Sequence, residues 1–593
     1  MTELDLGRHG LRTILFDPQM TQPFPDGRVL RIWSDVERTV RSLKEFSEHD
    51  ARVYPKYQAF WEEVVDALNP VLLAPPAPLD QLLHMLPGER GERLLRDLIL
   101  RSAKDLLDDW FESEELKGTL AINAVIGSFL GPSTPGSAYV LAHHSFGVLD
   151  GRREVWGFAE GGMGSITESL RRAAESAGAE VRTEVAVREI LVRDGRAVGV
   201  ETSTGEQIPA RAVASSVDAR TTFLRLIPQG ILSAEFLSRV EKIRYRGSQV
   251  KLNAALDALP EFSAEPGTGD RMHQGAVEVS PSLDYLDRAF DEAKYGRFST
   301  SPFMEVLFQS ARDPTVAPPG KHTMTCFVQY APYRLVGTTW PEAKPAVADT
   351  ILDTLEALAP NVRSCVRHFQ LLSPVDVERE LGLTGGSIFQ GDITPDQILT
   401  LRPLPGWAGY RTPLPGLYLC GSAAHPGGGV MGAPGRNAAL EILKDWKGEQ
   451  IQTERATQAG SGNGSPASLE RGGGWKALSR LSGRCRLNCR VDFGLGLPPG
   501  AERPQETPPA GPETGRMRPT RDRRGYPTAV LIGEFAGSEL PNASTPGKGA
   551  CSEVGSDDLI RQHSLPPRSL PRVNDRGSLH KGTVKPETVD LPG

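Results

Sequence analysis

Residues 416–445, GLYLCGSAAHPGGGVMGAPGRNAALEILKD, place a short apolar run, a glycine-rich turn and the start of a helix in direct succession. Leu417, Tyr418, Leu419 and Cys420 are bounded by glycines, as a short buried strand would be. Gly427, Gly428, Gly429 and Gly432 remove Cβ atoms where backbone must approach a ligand closely. Pro434 suits the first turn of a helix that Ala438, Ala439, Ile442 and Leu443 continue. The exposed N–H groups of such a helix start favour an electron-rich or anionic ligand. That order of elements builds a cofactor site.

Read literally, Gly427-Gly428-Gly429-Val430-Met431-Gly432 satisfies G-x-G-x-x-G. A dinucleotide fingerprint, however, opens its helix directly after the strand and begins a βαβ unit. Here His425-Pro426 intervenes, and the helix runs into Gly/Ser-rich sequence with no second strand, so that reading is rejected. LYLCGSAAHPGGGVMGAPGRNAA instead resembles the C-terminal flavin-binding motif of the phytoene desaturase-like flavoproteins, within the amine oxidase superfamily. FPDGRVLRIWSDVERTVRSLKEFSEHDARVYPKY, VWGFAEGGMGSITESLRRAAESAGAEV, DPTVAPPGKHTMTCFVQYAPY and GLTGGSIFQGDITPDQILTLRPLPGWAGYRTPLPG fit the same family, and the resemblance covers most of residues 3–446.

The resemblance implies an α/β, two-domain FAD-dependent oxidoreductase fold. An incomplete Rossmann-like FAD domain would join a mixed-sheet and helical substrate domain. The helical part of the substrate domain falls at residues 35–150 and its sheet part at 246–384; FAD-domain segments fall at 151–245 and 385–446. Relatives open with a βαβ unit whose glycine fingerprint holds the FAD pyrophosphate. MTELDLGRHG begins near the family's HGLR segment, at residues 9–12, so residues 1–34 read as a remnant after that unit, and a truncated product that binds FAD weakly or not at all is expected. The same N-terminus carries early acids and no apolar h-region, which fits neither a secretory signal nor a transit peptide. The resemblance points to the mitochondrial matrix; the cytoplasm is the alternative.

Composition narrows the partners. No stretch reaches about 18 uninterrupted apolar residues, so no transmembrane segment is expected. A net charge of −7, without interleaved aromatic and basic residues, gives no reason to expect nucleic acid. Six cysteines scattered through 593 residues point to a reducing compartment, and Cys485-x-x-x-Cys489 lacks the second pair a metal site needs. No metal is expected.

In the middle of the chain, Ser165 and Glu168 read as a capping box before a helix ending at Gly178. Residues 181–192, the Asp194-Gly195 turn and residues 197–202 read as a hairpin, followed by a buried strand at 212–216. QVKLNAAL and HTMTCFVQY have strand character, and residues 344–358 read as a helix. After Lys447 the chain turns to Gly, Ser, Pro and Arg with brief apolar runs such as 529–532, so residues 447–593 are expected to be a disordered tail.

Chemistry follows only through the cofactor. By resemblance, Gly421 and Ser422 lie by the pyrophosphate and ribitol, the backbone of Val430 and Met431 with Gly432 approaches the flavin pyrimidine edge, Asn437 sits in the helix aimed at the ring, and the backbone of Val185 meets the adenine. The substrate would be an apolar small molecule giving hydride to the flavin. No catalytic residue is assigned: His425 reads as shaping its loop, and His143-His144, taken as a strand, would project apart. The chain contains no G-x-S-x-G, H-E-x-x-H or P-loop pattern. A flavin oxidoreductase and a non-catalytic binding product are the two functions left.

Overall fold

Seven strands form the largest sheet, in the spatial order Val366–Leu372, Gln249–Leu256, His322–Gln329, Phe303–Leu307, Ala276–Val279, Met20–Pro23 and Val29–Ile32. All neighbours are antiparallel except Ala276–Val279 with Met20–Pro23. The computed structural model in which this sheet is seen describes residues 3–460 and 529–532 apart from 79–80, 82–87, 147, 150–151 and 154, with backbone alone for 148, 153, 449–460 and 529–532. QVKLNAAL shows why the sheet has two unlike faces. Val250, Leu252, Ala254 and Leu256 point one way and pack, with Met304, Val306, Cys326 and Val328, under the helix Trp340–Glu356. Lys251 and Asn253 point the other way.

That second face is covered at one end by a helical layer. Glu48–Leu72, Ala103–Trp110, Glu114–Val125, Ser137–Ser145 and Leu283–Lys294 share one core with Met20, Leu30, Ile32, Phe303 and Tyr330. Tyr54, Tyr57, Trp61 and Val64 line the inner side of the longest of these helices. The strands Met20–Pro23 and Val29–Ile32 therefore belong structurally to the seven-stranded sheet.

A separate parallel sheet is built around Ala212–Ser215, flanked by Leu417–Leu419 on one side and Ala529–Ile532 on the other. AVAS is buried throughout, as a strand covered on both faces must be. Next to it lies the antiparallel sheet Val187–Arg193, Arg196–Thr202, Gln207–Pro209. Its first hairpin turns through Asp194 and Gly195, at φ 50° and 68°, the left-handed pair that a two-residue turn matched to strand twist requires.

Four sequence expectations are corrected. The helix Gly164–Ser176 has no side-chain cap: a turn through Gly161 and Gly162 closes on backbone bonds, Ser165 Oγ donates to Gly162 O, and Glu168 faces Arg171 and Arg172. The strand expected from 181 begins at Val187, leaving Val185 in irregular chain beside Glu184 at φ 59°. His143 and His144 lie on the helix Ser137–Ser145, whose first seven residues are all buried, so no polar face betrays its period. The helix after the glycine loop runs Ala433–Gly460, well past Leu443 and into the expected tail, because good helix formers follow it. Of the expected tail, this helix end and the strand Ala529–Ile532 are described; the remainder, with Cys485, Cys489 and Cys551, lies outside the described residues.

The ends of the parallel strands meet at Gly421, where an added Cβ would stand 2.0 Å from Ser216 O. Gly421→Ala should lower stability by about 2–3 kcal/mol through overpacking, read as a fall in the denaturation midpoint. An unchanged midpoint would show that this contact yields freely.

Candidate cofactor site

Because Leu417–Leu419 and Ala212–Ser215 run parallel, their C-terminal ends open on the same edge, where α/β sheets hold ligands. Cys420 N donates to Ser215 O at 2.8 Å, and tight turns at residues 421–424 and 424–427 then bring the chain round through His425-Pro426. Gly427, Gly429, Val430 and Gly432 all have positive φ, at 108°, 137°, 55° and 66°. For Val430, a β-branched residue, this conformation is costly, and strain of that kind clusters at ligand sites. Among the described residues, nothing accepts from the N–H groups of Gly429, Val430 or Met431. The loop tip is exposed, with Val430 73% accessible.

The base of the loop hangs on Arg402, which is buried. Its Nε and Nη2 donate to Ser422 O at 3.0 and 2.7 Å, Nη1 to Asp392 O and Gln397 O at 3.2 Å, and Nη2 also to Phe389 O. All these partners are backbone carbonyls. Burial pulls the guanidinium down to about 10, which leaves it charged at neutral pH. Asp392, the neighbouring carboxylate, is taken by Arg246 at 2.5 Å.

Further side chains tie the loop to the helical layer. His143 Nε2 donates to Gly428 O at 2.7 Å and His425 Nε2 to Val71 O at 3.0 Å; Asn437 Nδ2 reaches Leu72 O at 3.0 Å and Tyr410 Oη at 2.8 Å, while Tyr410 donates to His425 O. Val71 and Leu72 end the helix Glu48–Leu72, whose last carbonyls have no intrahelical donors. Burial holds both imidazoles near about 4, so each is neutral at pH 7 with its one proton on the nitrogen that faces a carbonyl. Their Nδ1 atoms, Asn437 Oδ1 and Tyr139 Oη are buried without a partner among the described residues. Such atoms call for a ligand or water to complete them.

The inner face of the seven-stranded sheet supplies a second set of polar groups. Lys251 pairs with Phe327, Phe327 with Glu305, and Glu305 with Glu278, one row across four strands. Lys251 is exposed and Glu305 half-buried by surface area, yet desolvation lowers the ammonium and lifts the Glu305 carboxyl to about 7. Glu278 is fully buried, both oxygens unpartnered, and burial followed by the charge of Glu305 holds its carboxyl well above the usual range.

Six of the seven residues named from sequence fall on this loop and its helix. Gly421 packs against Ser216, the Ser422 carbonyl takes Arg402, Val430, Met431 and Gly432 form the tip, and Asn437 is buried behind it. Val185 lies before the strand Val187–Arg193, on the antiparallel sheet. Arg402, Tyr410 and the Glu278–Glu305 pair escaped the sequence reading. Alternation in AVEV and FMEVL marks an inward glutamate in each strand, which was the available signal for the pair; Arg402 left none.

A glycine-rich loop at the ends of parallel strands, beside a mixed seven-stranded sheet and a helical layer, defines a mixed α/β protein. Residues 98–443 match the flavin containing amine oxidoreductase family. The chain is 38% identical to pyridine nucleotide-disulfide oxidoreductase domain-containing protein 2 of Rattus norvegicus over 481 residues, 75% of this chain and 83% of that protein. It is 24% identical to the lycopene-forming phytoene desaturase of Pseudescherichia vulneris, over 71% of this chain and 81% of that one. A solved putrescine oxidase bound to putrescine aligns with 74% of the chain and 85% of its own, at 16% identity and TM-score 0.45. The chain belongs to the flavin containing amine oxidoreductase family. Among the described residues, no helix is long and apolar enough to cross a membrane.

Glu278 carries a pH prediction. Its folded pKa stands above the unfolded value of 4.5, so the folded chain keeps a proton that the unfolded chain releases as pH rises. That contribution favours folding least above the folded pKa. Glu278→Gln should match the wild type near about pH 4 and gain on it steadily toward about pH 8, measured by denaturant midpoint. A gap that stays constant with pH would contradict a protonated Glu278.

Proposed function

We propose that this chain is an FAD-dependent oxidoreductase, in which the ring end of the flavin rests against residues 421–432 and an organic substrate lodges between it and the inner face of the seven-stranded sheet. The observation that carries this reading is the set of unpartnered buried polar atoms gathered around a strained glycine loop at the ends of parallel strands. In the family resemblance the bound flavin supplies a hydride acceptor. This chain's residues would do the rest. The free N–H groups of Gly429, Val430 and Met431 suit the carbonyl edge of the ring, and Asn437 Oδ1 offers an acceptor behind it. Neutral His143 and His425 fix the loop without adding charge beside the ring.

The substrate side combines an apolar surface with acids. Phe327 stands between Lys251 and Glu305, and Met20 and Leu307 flank the same strands. Buried carboxyls are relieved by a cation that reaches both. We therefore favour a substrate with an apolar body and a basic nitrogen, consistent with the family's description.

The chain's own contacts in this account cover the ring end of FAD, so binding should be saturable but weak. Titrating FAD into the purified protein should quench flavin fluorescence to a plateau, and Asn437→Leu should raise the apparent Kd about tenfold, the loss of one buried hydrogen-bonding group. An apolar amine should then bleach the bound flavin without oxygen, while its carbon isostere should not. No saturable quenching would favour the second reading, a non-catalytic binding protein.

A further inference from the structure

Outside the loop and the acid row, one groove stands out by charge. It is an open groove of about 470 Å³, lined by Arg220, Arg246, Lys294 and Arg334, with Tyr245 and Phe129 behind them. No residue of the glycine loop lines it. The four cations come from four separate parts of the chain: the helix Ala219–Leu224, the segment before Gln249–Leu256, the end of Leu283–Lys294, and the turn after His322–Gln329. Glu378 is the one carboxylate on the lining, and it already accepts from Tyr333 Oη.

Two of the arginines are fixed in place with donors to spare. Arg220 Nη2 is held by Glu241 O and Ile243 O at 2.9 and 3.1 Å while the guanidinium lies 5.0 Å over the Tyr245 ring. Arg246 is tied through Nε to Asp392 at 2.5 Å and lies 5.0 Å over Phe129. Among the described residues, neither Nη of Arg246, nor Nε or Nη1 of Arg220, has an acceptor, and Arg334 makes no ion pair. Lys294 is shared with Asp291 at 2.6 Å. A guanidinium anchored at one edge, stacked on a ring and open at its other edge is the arrangement that takes an oxyanion in a forked pair of bonds.

We propose that this groove is a second ligand site, separate from the cofactor loop, that binds a small molecule through a multiply charged oxyanion group, either a diphosphate or a polycarboxylate. Arg220 and Arg246 seat the anion, and Arg334 and Lys294 close over it from the rim.

Isothermal titration of the full chain at fixed ionic strength tests this, with inorganic pyrophosphate, citrate and sodium chloride as separate probes. Saturable binding of pyrophosphate or of citrate is expected, and whichever binds identifies the source of the anion. Arg334→Gln, at an exposed side chain whose loss leaves folding untouched, should weaken it about tenfold, and Arg220→Gln by more. Saturating the protein with FAD should leave the affinity unchanged. The proposal is overturned if neither oxyanion gives more heat than chloride, if Arg334→Gln binds as the wild type does, or if FAD displaces the anion, which would make the groove part of the cofactor site.

Discussion

The glycine-rich loop of this protein depends on one buried guanidinium. Arg402 donates to the carbonyls of Phe389, Asp392, Gln397 and Ser422, and so joins the segment 389–397 to the exit of the strand Leu417–Leu419. Desolvating a guanidinium is expensive, and here it is offset by several carbonyl dipoles rather than by a carboxylate. Carbonyls are directional and rigid where a carboxylate side chain can turn. The arrangement therefore fixes backbone positions on both sides of the loop, which is what a site made largely of backbone N–H groups needs. Removing the fork leaves four carbonyls to find other donors in a dry interior.

From that base the loop is held a second time from the helical layer. His143, His425 and Asn437 each spend a donor on a carbonyl, and each is left with a buried acceptor unused. Their neutrality matters, because a charged imidazole beside Arg402 would add repulsion to desolvation. The seven-stranded sheet contributes the opposite character: in its inner row burial lowers the Lys251 ammonium, lifts the Glu305 carboxyl to about 7 and holds Glu278 well above the usual range. One set is of fixed dipoles and the other of titratable groups.

Much of this was legible in residues 416–445, since a glycine-bounded apolar run followed by glycines and a helix former permits few structures. The strands QVKLNAAL and HTMTCFVQY were legible for the same reason: alternation with β-branched and apolar residues. What could not be read was held by long-range packing. The helix carrying His143 is buried nearly all round and shows no amphipathic period. Arg402 looks in sequence like any surface arginine beside a proline, and only the convergence of 389–397 with 421–422 buries it. Ala529–Ile532 is four apolar residues in a polar stretch, and its pairing with Ala212–Ser215 crosses more than three hundred positions of sequence, beyond the reach of local pattern.

Hydrogen exchange of Arg402→Lys, which keeps the charge and removes the fork, tests the central claim most directly. The account predicts that amides in residues 417–427 lose protection while those of Gln249–Leu256 keep theirs. Unchanged protection around the loop would show that the guanidinium fork does not hold it.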